Sequence, residues 1–210
     1  NGVLKSRTAY EQGKRQGMQA GWDSAGRLLN RSFYKDDLAD GYSMRYGSSR
    51  NLMEKGGYRA GKKVGSWYFY RSKGSLASYE RYNDSGMMLF VQHYDEQGKP
   101  QTFDSLRQYR EAGPSGGLNA FYEAISKEYH VPPEAIKKNL ETQIELCFEI
   151  DEQGNPVNLR ACNEPRLAKV LEDEALRSFN AIKTQWNPQW QHNRPVSTHY
   201  KLPIKVTIMR

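Results

Sequence analysis

Apolar and aromatic residues return every 24 positions through the first half of the chain. Tyr10, Tyr34, Tyr58 and Tyr82 form one column, and Trp22, Tyr46, Tyr70 and Tyr94 a second. A third holds Leu28, Leu52 and Leu76 and ends at Pro100. Glycines keep the same period: Gly13 with Gly61, Gly17 with Gly41 and Gly65, and Gly26 with Gly74 and Gly98. Asp37 and Ser85 stand in the first of these glycine columns. A unit so short and so rich in glycine is too small for a helix pair but holds two short strands and two turns. Its clearest copy runs from Tyr58 through Gly61, Gly65, Trp67, Tyr70 and Gly74 to Leu76. The period therefore predicts a single-layer antiparallel meander over residues 10–104 that advances roughly 10 Å per repeat. Trp22, Tyr46, Tyr70 and Tyr94 are expected as a ladder on one face, with Trp67 on the repeat surface. Stacked repeats of this kind build surfaces rather than catalytic pockets.

Beyond residue 113 the pattern changes, and eight of the nine prolines lie there. Gly113-Pro114-Ser115-Gly116-Gly117 closes a predicted linker over 105–117. Leu118, Phe121, Tyr122, Ile125 and Tyr129 then recur at helical spacing. Pro132 and Pro133 stop that helix, and Pro133 can open a short helical turn. Ile144, Leu146, Phe148 and Ile150 alternate with Glu145, Cys147 and Glu149, which predicts a half-buried strand. A turn at 151–155 leads to a returning strand with Val157, Leu159 and Ala161. Leu171, Ala175, Phe179 and Ile182 mark a second helix, with acids in its first turn where the dipole favours them. Val196 to Met209 completes the pattern as a last strand with Leu202, Ile204, Val206 and Ile208 on one face. The class is α+β: repeats over 1–104, then a small domain over 118–210 with a three-stranded antiparallel sheet and two helices.

Charge separates the two halves further. The 210 residues carry a formal charge of +7, and all of that excess falls within residues 1–112. Basic and aromatic residues together suit an anionic surface, although solvation of strand edges by Lys and Arg accounts for the same composition. No apolar run is long enough to span a membrane as a helix. The chain opens at Asn1 rather than Met, so an export signal removed ahead of residue 1 is expected. Cys147 and Cys162 are the one candidate disulfide pair. Pairing Ile150 with Val157 sets Cys147 opposite Arg160 and leaves the two cysteines diagonal at about 7–8 Å, slightly too far to bond. A register shifted by two residues brings them face to face.

Two motif matches fail, and the histidines form none. Gly56-Gly57-Tyr58-Arg59-Ala60-Gly61-Lys62-Lys63 approaches a phosphate loop but lacks the closing Ser or Thr and a following helix. Gly113-Pro114-Ser115-Gly116-Gly117 has the spacing of a nucleophile elbow without the strand before it. His93, His130, His192 and His199 are scattered, with no ligand at metal spacing. Neither a catalytic constellation nor a metal or cofactor site is expected, and the protein is read as non-enzymatic.

Residues 116–210 resemble the C-terminal domain of TonB, the periplasmic energy transducer of Gram-negative bacteria. The likeness rests on Gly116-Gly117, Pro133-Glu134-Ala135 and the stretch from Phe148 to Val157. It continues through Glu172-Asp173-Glu174-Ala175-Leu176-Arg177, Trp186-Asn187-Pro188, Asn193-Arg194-Pro195-Val196 and Leu202-Pro203-Ile204. The Gly-Gly start and the Leu-Pro-Ile end most resemble versions from Bacteroidetes-type bacteria. The repeats resemble variant MORN repeats, with Asp37, Arg50, Leu89 and Pro100 breaking the pattern. Trp190 stands where the family usually has a small residue in a Pro-Gly turn. Repeats occupy the place of the Pro-rich spacer of a working TonB, and no membrane helix accompanies them, which puts energy coupling in question.

The resemblance implies a periplasmic or envelope module that binds a protein or peptide partner, such as a segment of an outer-membrane transporter. In that family the partner adds as a strand to the free edge of the last strand, here Val196, Ser197, Thr198, His199, Tyr200, Lys201 and Leu202. Pro203 agrees with an edge position. Two alternatives stand beside it: a basic repeat surface for anionic lipid or glycan with the second domain passive, and an antitoxin-like protein partner.

Overall fold

The computed structural model describes residues 4–47, 50–103 and 109–207, which form two compact units. The first holds the chain to Gln108 together with His192–Arg194; the second holds Tyr109–Gln191 and the chain from Pro195.

In the first unit the repeats form one antiparallel sheet of ten strands. They are β1 (Ser6–Glu11), β2 (Lys14–Trp22), β3 (Leu28–Lys35), β4 (Leu38–Ala39), β5 (Gly41–Tyr46), β6 (Leu52–Arg59), β7 (Lys62–Tyr70), β8 (Leu76–Tyr82), β9 (Met88–Tyr94) and β10 (Pro100–Gln101). Neighbours in sequence pair in order, apart from β4, which pairs with β3 off the main path. Each of the first three repeats supplies two longer strands, as its glycine spacing predicts, and the fourth supplies β9 and the two-residue β10.

Two turn types alternate through the first three repeats, and the turn at 83–86 is again of the wider type. In the wider turns at 23–26 and 95–98 an aspartate opens the loop and accepts two backbone N–H groups. Asp23 Oδ1 takes those of Ala25 (2.9 Å) and Arg27 (3.0 Å), and Asp95 Oδ1 takes those of Gln97 (3.0 Å) and Lys99 (2.8 Å). The fourth residue must then enter the left-handed region, which Gly26 and Gly98 do freely. Arg50 occupies that column in the second repeat at φ 66°. The tighter two-residue turns at Gln12-Gly13, Asp36-Asp37 and Ala60-Gly61 have positive φ at both positions, the mirror-image turn whose twist suits a hairpin. Asp37 is held there by Arg15, whose backbone N–H donates to its Oδ1 at 2.9 Å. That hydrogen bond leads the causes that hold the Asp37 carboxyl below the usual range.

The sheet buries little: Ala20 and Met53 in its first two repeats, and its largest buried rings in the third. Trp67 and Phe69 are each 1% exposed. The Trp67 indole lies across Gly56 and donates its Nε1–H to the Gly57 carbonyl at 3.0 Å. Trp67 is thus core rather than repeat surface, because a strand without a side chain at position 56 leaves the space that its ring fills. The column of Trp22, Tyr46, Tyr70 and Tyr94 closes successive hairpins opposite Leu28, Leu52, Leu76 and Pro100. Those intervening residues keep the four rings two strands apart, too far to stack as a ladder. Ring contacts run instead through Tyr58, Trp67 and Phe69, and separately through Tyr68, Tyr79 and Phe90.

The same unit encloses a carboxylate. Glu80 is fully buried, accepts the Tyr82 hydroxyl at 2.6 Å and meets His192 Nδ1 at 2.5 Å. Burial alone pushes its pKa up, but the His192 contact, Tyr82 and the charge of Lys63 outweigh burial and hold it down. The Lys63 ammonium in turn lies 4.6 Å from the Trp67 ring centre and 4.7 Å from that of Phe69.

The second unit is α+β. Short strands β11 (Tyr109–Arg110) and β12 (Gly113–Pro114) lead into helix α1 (Gly117–Glu128) and the short helix α2 (Pro133–Lys137). Residues 109–114, expected as linker, therefore carry paired strands. The hairpin β13 (Thr142–Ile150) and β14 (Pro156–Ala161) precedes helix α3 (Lys169–Ala181). The chain ends in β15 (Trp186–Asn187), β16 (Gln189–Gln191), β17 (Arg194–Val196) and β18 (Thr198–Val206). β12 pairs with β15, β11 with β16, and a three-stranded sheet runs β14-β13-β18. The last strand is shorter than expected, and Ile208 and Met209 lie outside the described residues.

Alternation dictates the core. Ile144, Leu146, Phe148 and Ile150 of β13 and Leu202, Ile204 and Val206 of β18 all face inward. Phe121 and Ile125 of α1 and Leu171, Ala175 and Phe179 of α3 close over them. Leu118, one of the predicted helix positions, is instead 43% exposed. Trp186 sits at the centre, with ring centres of Phe121, Phe148, Phe179 and Tyr200 between 5.2 and 6.1 Å away. Pairs of this kind contribute about 0.5–1.5 kcal/mol each beyond area burial.

An ion network fastens the two long helices. Arg177 donates to Glu128 Oε1 (2.7 Å) and the Glu128 carbonyl (2.7 Å), and to Glu174 Oε1 (2.8 Å). Chiefly through Arg177, the Glu174 pKa falls to about 2. Burial, reinforced by the Glu174 charge, pushes the Tyr129 hydroxyl up to about 12.

Candidate functional site

The candidate site is the outer edge of β18, and its chemistry is that of the backbone. β18 pairs with β13 along its whole length, from Thr198 opposite Ile150 to Val206 opposite Thr142. It is the end strand of its sheet. Which backbone groups face outward follows from β13. Glu145 gives its N–H to Asn163 Oδ1 (2.8 Å), and its carbonyl accepts the Cys162 N–H (2.8 Å). Asn163 Nδ2 also donates to the Gln143 carbonyl at 2.9 Å. Backbone groups of odd-numbered residues in β13 therefore point toward β14. Successive residues of a strand point oppositely, so Ile144, Leu146, Phe148 and Ile150 turn theirs toward β18.

Their partners Ile204, Leu202, Tyr200 and Thr198 complete the ladder. His199, Lys201, Pro203 and Lys205 then present their backbone groups to the free edge. Pro203 fits this parity because it lies opposite Glu145, whose groups are engaged on the other side, so no ladder bond is lost. The free edge offers N–H groups at His199, Lys201 and Lys205 and a gap at Pro203. Thr198 and Tyr200, expected among the edge residues, turn their backbone groups to β13 instead.

The remaining predicted edge residues divide. Val196 is buried in β17, before the edge begins. Ser197 links the two strands and donates its hydroxyl to Glu149. Leu202 is 1% exposed with its side chain in the core, so it contributes to the edge by position only. On the outward face a shallow depression is bordered by Cys147, Glu149, Arg160, His199 and Lys201. Lys201 Nζ reaches Glu145 at 2.5 Å.

Cys147 and Cys162 are joined by a disulfide with Cα atoms 5.8 Å apart. The expected diagonal separation was too long for two reasons. Val157 pairs with Glu149 rather than Ile150, and a bulge at Asn158, with φ 58°, restores Cys147 opposite Arg160. β14 then stops at Ala161, and Cys162 leaves the regular ladder to donate its N–H to Glu145. The bond thus ties β14 to the strand that carries β18.

The two discounted motifs are structural. Gly56 and Gly57 lie within β6, Ala60-Gly61 is a hairpin turn, and Lys63 lies in β7. Gly113-Pro114 is a strand, with Ser115 exposed at its end. Among the described residues no group of three or more His, Cys, Asp and Glu could hold a metal ion. No helix among them is long and apolar enough to cross a membrane.

Comparison with known families bears on this same segment. Residues 127–207 match the family of the Gram-negative bacterial TonB protein C-terminal. The match takes in α2, the hairpin, α3 and β18, and begins near the end of α1. A TonB C-terminal segment suggests an envelope protein-interaction module, since domains of this family bind protein partners in the envelope. A search of curated proteins gives no match. The repeats are an antiparallel strand meander consistent with MORN-type units, without a family match of their own.

Proposed function

We propose that the protein is a non-enzymatic envelope binding module that captures an extended segment of a partner, such as an outer-membrane transporter, on the free edge of β18. The carrying observation is the parity of that strand. Its outward N–H groups at His199 and Lys201 recur at the two-residue spacing that an added strand requires. The added strand would lie beside the depression bordered by His199 and Lys201, where alternate side chains find contacts. The TonB C-terminal match supports the same reading from the family's side. The disulfide stiffens the hairpin behind the edge, which lowers the ordering cost of binding.

A photoreactive residue introduced at Lys201 in cells tests this reading. It should crosslink to a partner's extended periplasmic segment, whereas the same group at Lys127 of α1 should not. Equal crosslinking from both positions, or none from Lys201, would overturn it.

A further inference from the structure

The sheet of the first unit carries a straight cross-strand line that edge pairing does not use. Arg7, Ala20, Arg31, Met44, Lys55, Tyr68, Tyr79 and Gln92 lie opposite one another in successive pairs. Directly paired residues share a face, so this is one line on one face. Eight strands about 4.8 Å apart give it a length of roughly 34 Å. Within it Arg7, Arg31 and Lys55 occupy one 24-residue column and therefore recur every second strand, about 10 Å apart. The fourth member of that column is Tyr79.

Two features separate this line from ordinary solvated cations. It holds no acid, and among the described residues no ion pair engages Arg7, Arg31 or Lys55. On the opposite face Arg45 is matched by a two-pronged contact with Glu54, both bonds 3.1 Å. The line also ends in rings. The Lys55 ammonium lies 5.0 Å from the Tyr68 ring centre, Tyr68 is 5.2 Å from Tyr79, and Tyr79 is 6.0 Å from Phe90. Phe90 is 44% exposed, which leaves an open ring at this end of the line.

We infer that this face binds a linear acidic glycan, a polymer of sugar rings with a carboxylate recurring along its length. Cations about 10 Å apart match a carboxylate carried on every second sugar ring, and the exposed Phe90 ring takes the apolar face of a sugar. A nucleic-acid strand carries a charge about every 3.4 Å, so cations three times farther apart would leave most phosphates unmatched. A bilayer surface would need cations spread in two dimensions rather than along one line. The inference is independent of the edge-strand reading, since it uses none of the residues of β18.

The test is titration calorimetry with the whole chain and hyaluronan, which carries one carboxylate on every second ring, against neutral dextran, phosphatidylglycerol vesicles and poly-dT. Hyaluronan should bind with an affinity that falls as salt rises. The triple variant Arg7→Gln, Arg31→Gln, Lys55→Gln should lose about tenfold, from one exposed and two half-buried charge contacts. The triple variant Lys127→Gln, Lys137→Gln, Lys138→Gln removes the same charge from exposed helical sites and should change affinity less than about twofold. Should the first triple fail to fold, Arg7→Gln alone on the exposed first strand should cost roughly two- to threefold. Equal losses in the two triples, no binding of hyaluronan, or tighter binding of vesicles or poly-dT at matched charge would each overturn the inference.

Discussion

Replacing Gly56 by alanine probes a place where the repeat sheet is packed like a core. Gly56 has ordinary extended backbone, so it is needed for space and not for conformational freedom. A β-carbon there would overlap Cγ, Cδ2 and Cε2 of Trp67. The indole is 1% exposed and stacked on Phe69 at 5.8 Å, so it has no free direction in which to retreat. Overpacking of this kind costs about 1–3 kcal/mol. Displacing the ring also breaks the Trp67-to-Gly57 hydrogen bond, worth about 1 kcal/mol. The expected loss is therefore about 3 kcal/mol. Gly57→Ala is the internal control, because its β-carbon would meet the Val64 carbonyl oxygen at 3.5 Å, an ordinary contact. It should cost less than about 1 kcal/mol. Urea unfolding followed by hydrogen exchange at β6 and β7 amides reads the first unit separately from the second. Repeating Gly56→Ala in a Trp67→Val background isolates the clash, and there its cost should shrink to a few tenths of a kcal/mol. A cost unchanged by removing Trp67, or a Gly56→Ala protein as stable as the parent, would refute the packing argument.

Two further expectations concern the second unit. Reducing or deleting the Cys147–Cys162 bond, with its sequence separation of 15, should lower stability by about 3 kcal/mol; non-reducing mass spectrometry should first show the chain two hydrogens lighter, and full mass would contradict the bond. Glu174, held down to about 2 chiefly by Arg177, contributes stability that is fully present above its ordinary value of 4.5 and is lost as pH falls from 4.5 through about 2. Because Arg177 is half-exposed, solvent screening limits the contribution to about 1 kcal/mol at neutral pH, and the urea midpoints of the parent and Glu174→Gln should converge across that window; a constant gap would contradict the assignment.

Much of the architecture is visible in residue spacing because the physics behind it is local. The 24-residue columns report hairpins, since each Asp-x-x-Gly turn satisfies its own N–H groups within five residues, as at Asp23 and Asp95. The alternation from Ile144 to Ile150 reports a strand with one buried face. What escaped is what depends on a second chain segment. Trp67 looks like any other ring in its repeat, and only the absent side chain of Gly56, 11 residues earlier on the neighbouring strand, turns it inward. The bulge at Asn158 carries no distinctive residue beyond an asparagine that tolerates positive φ, and it shortens the cysteine separation. The edge parity did have a signal. Pro203 cannot donate to a ladder, so all odd-numbered residues of its strand face outward, which excludes Thr198 and Tyr200.

That parity is the centre of the functional account, and amide hydrogen exchange along β18 measures it directly. In the free protein the amides of Thr198, Tyr200, Leu202 and Ile204 should exchange slowly, and those of His199, Lys201 and Lys205 quickly. Adding the partner segment identified by crosslinking at Lys201 should slow the second set and leave the first unchanged. Uniform protection along β18 in the free protein, or partner binding that leaves His199 and Lys201 as fast as before, would contradict edge addition.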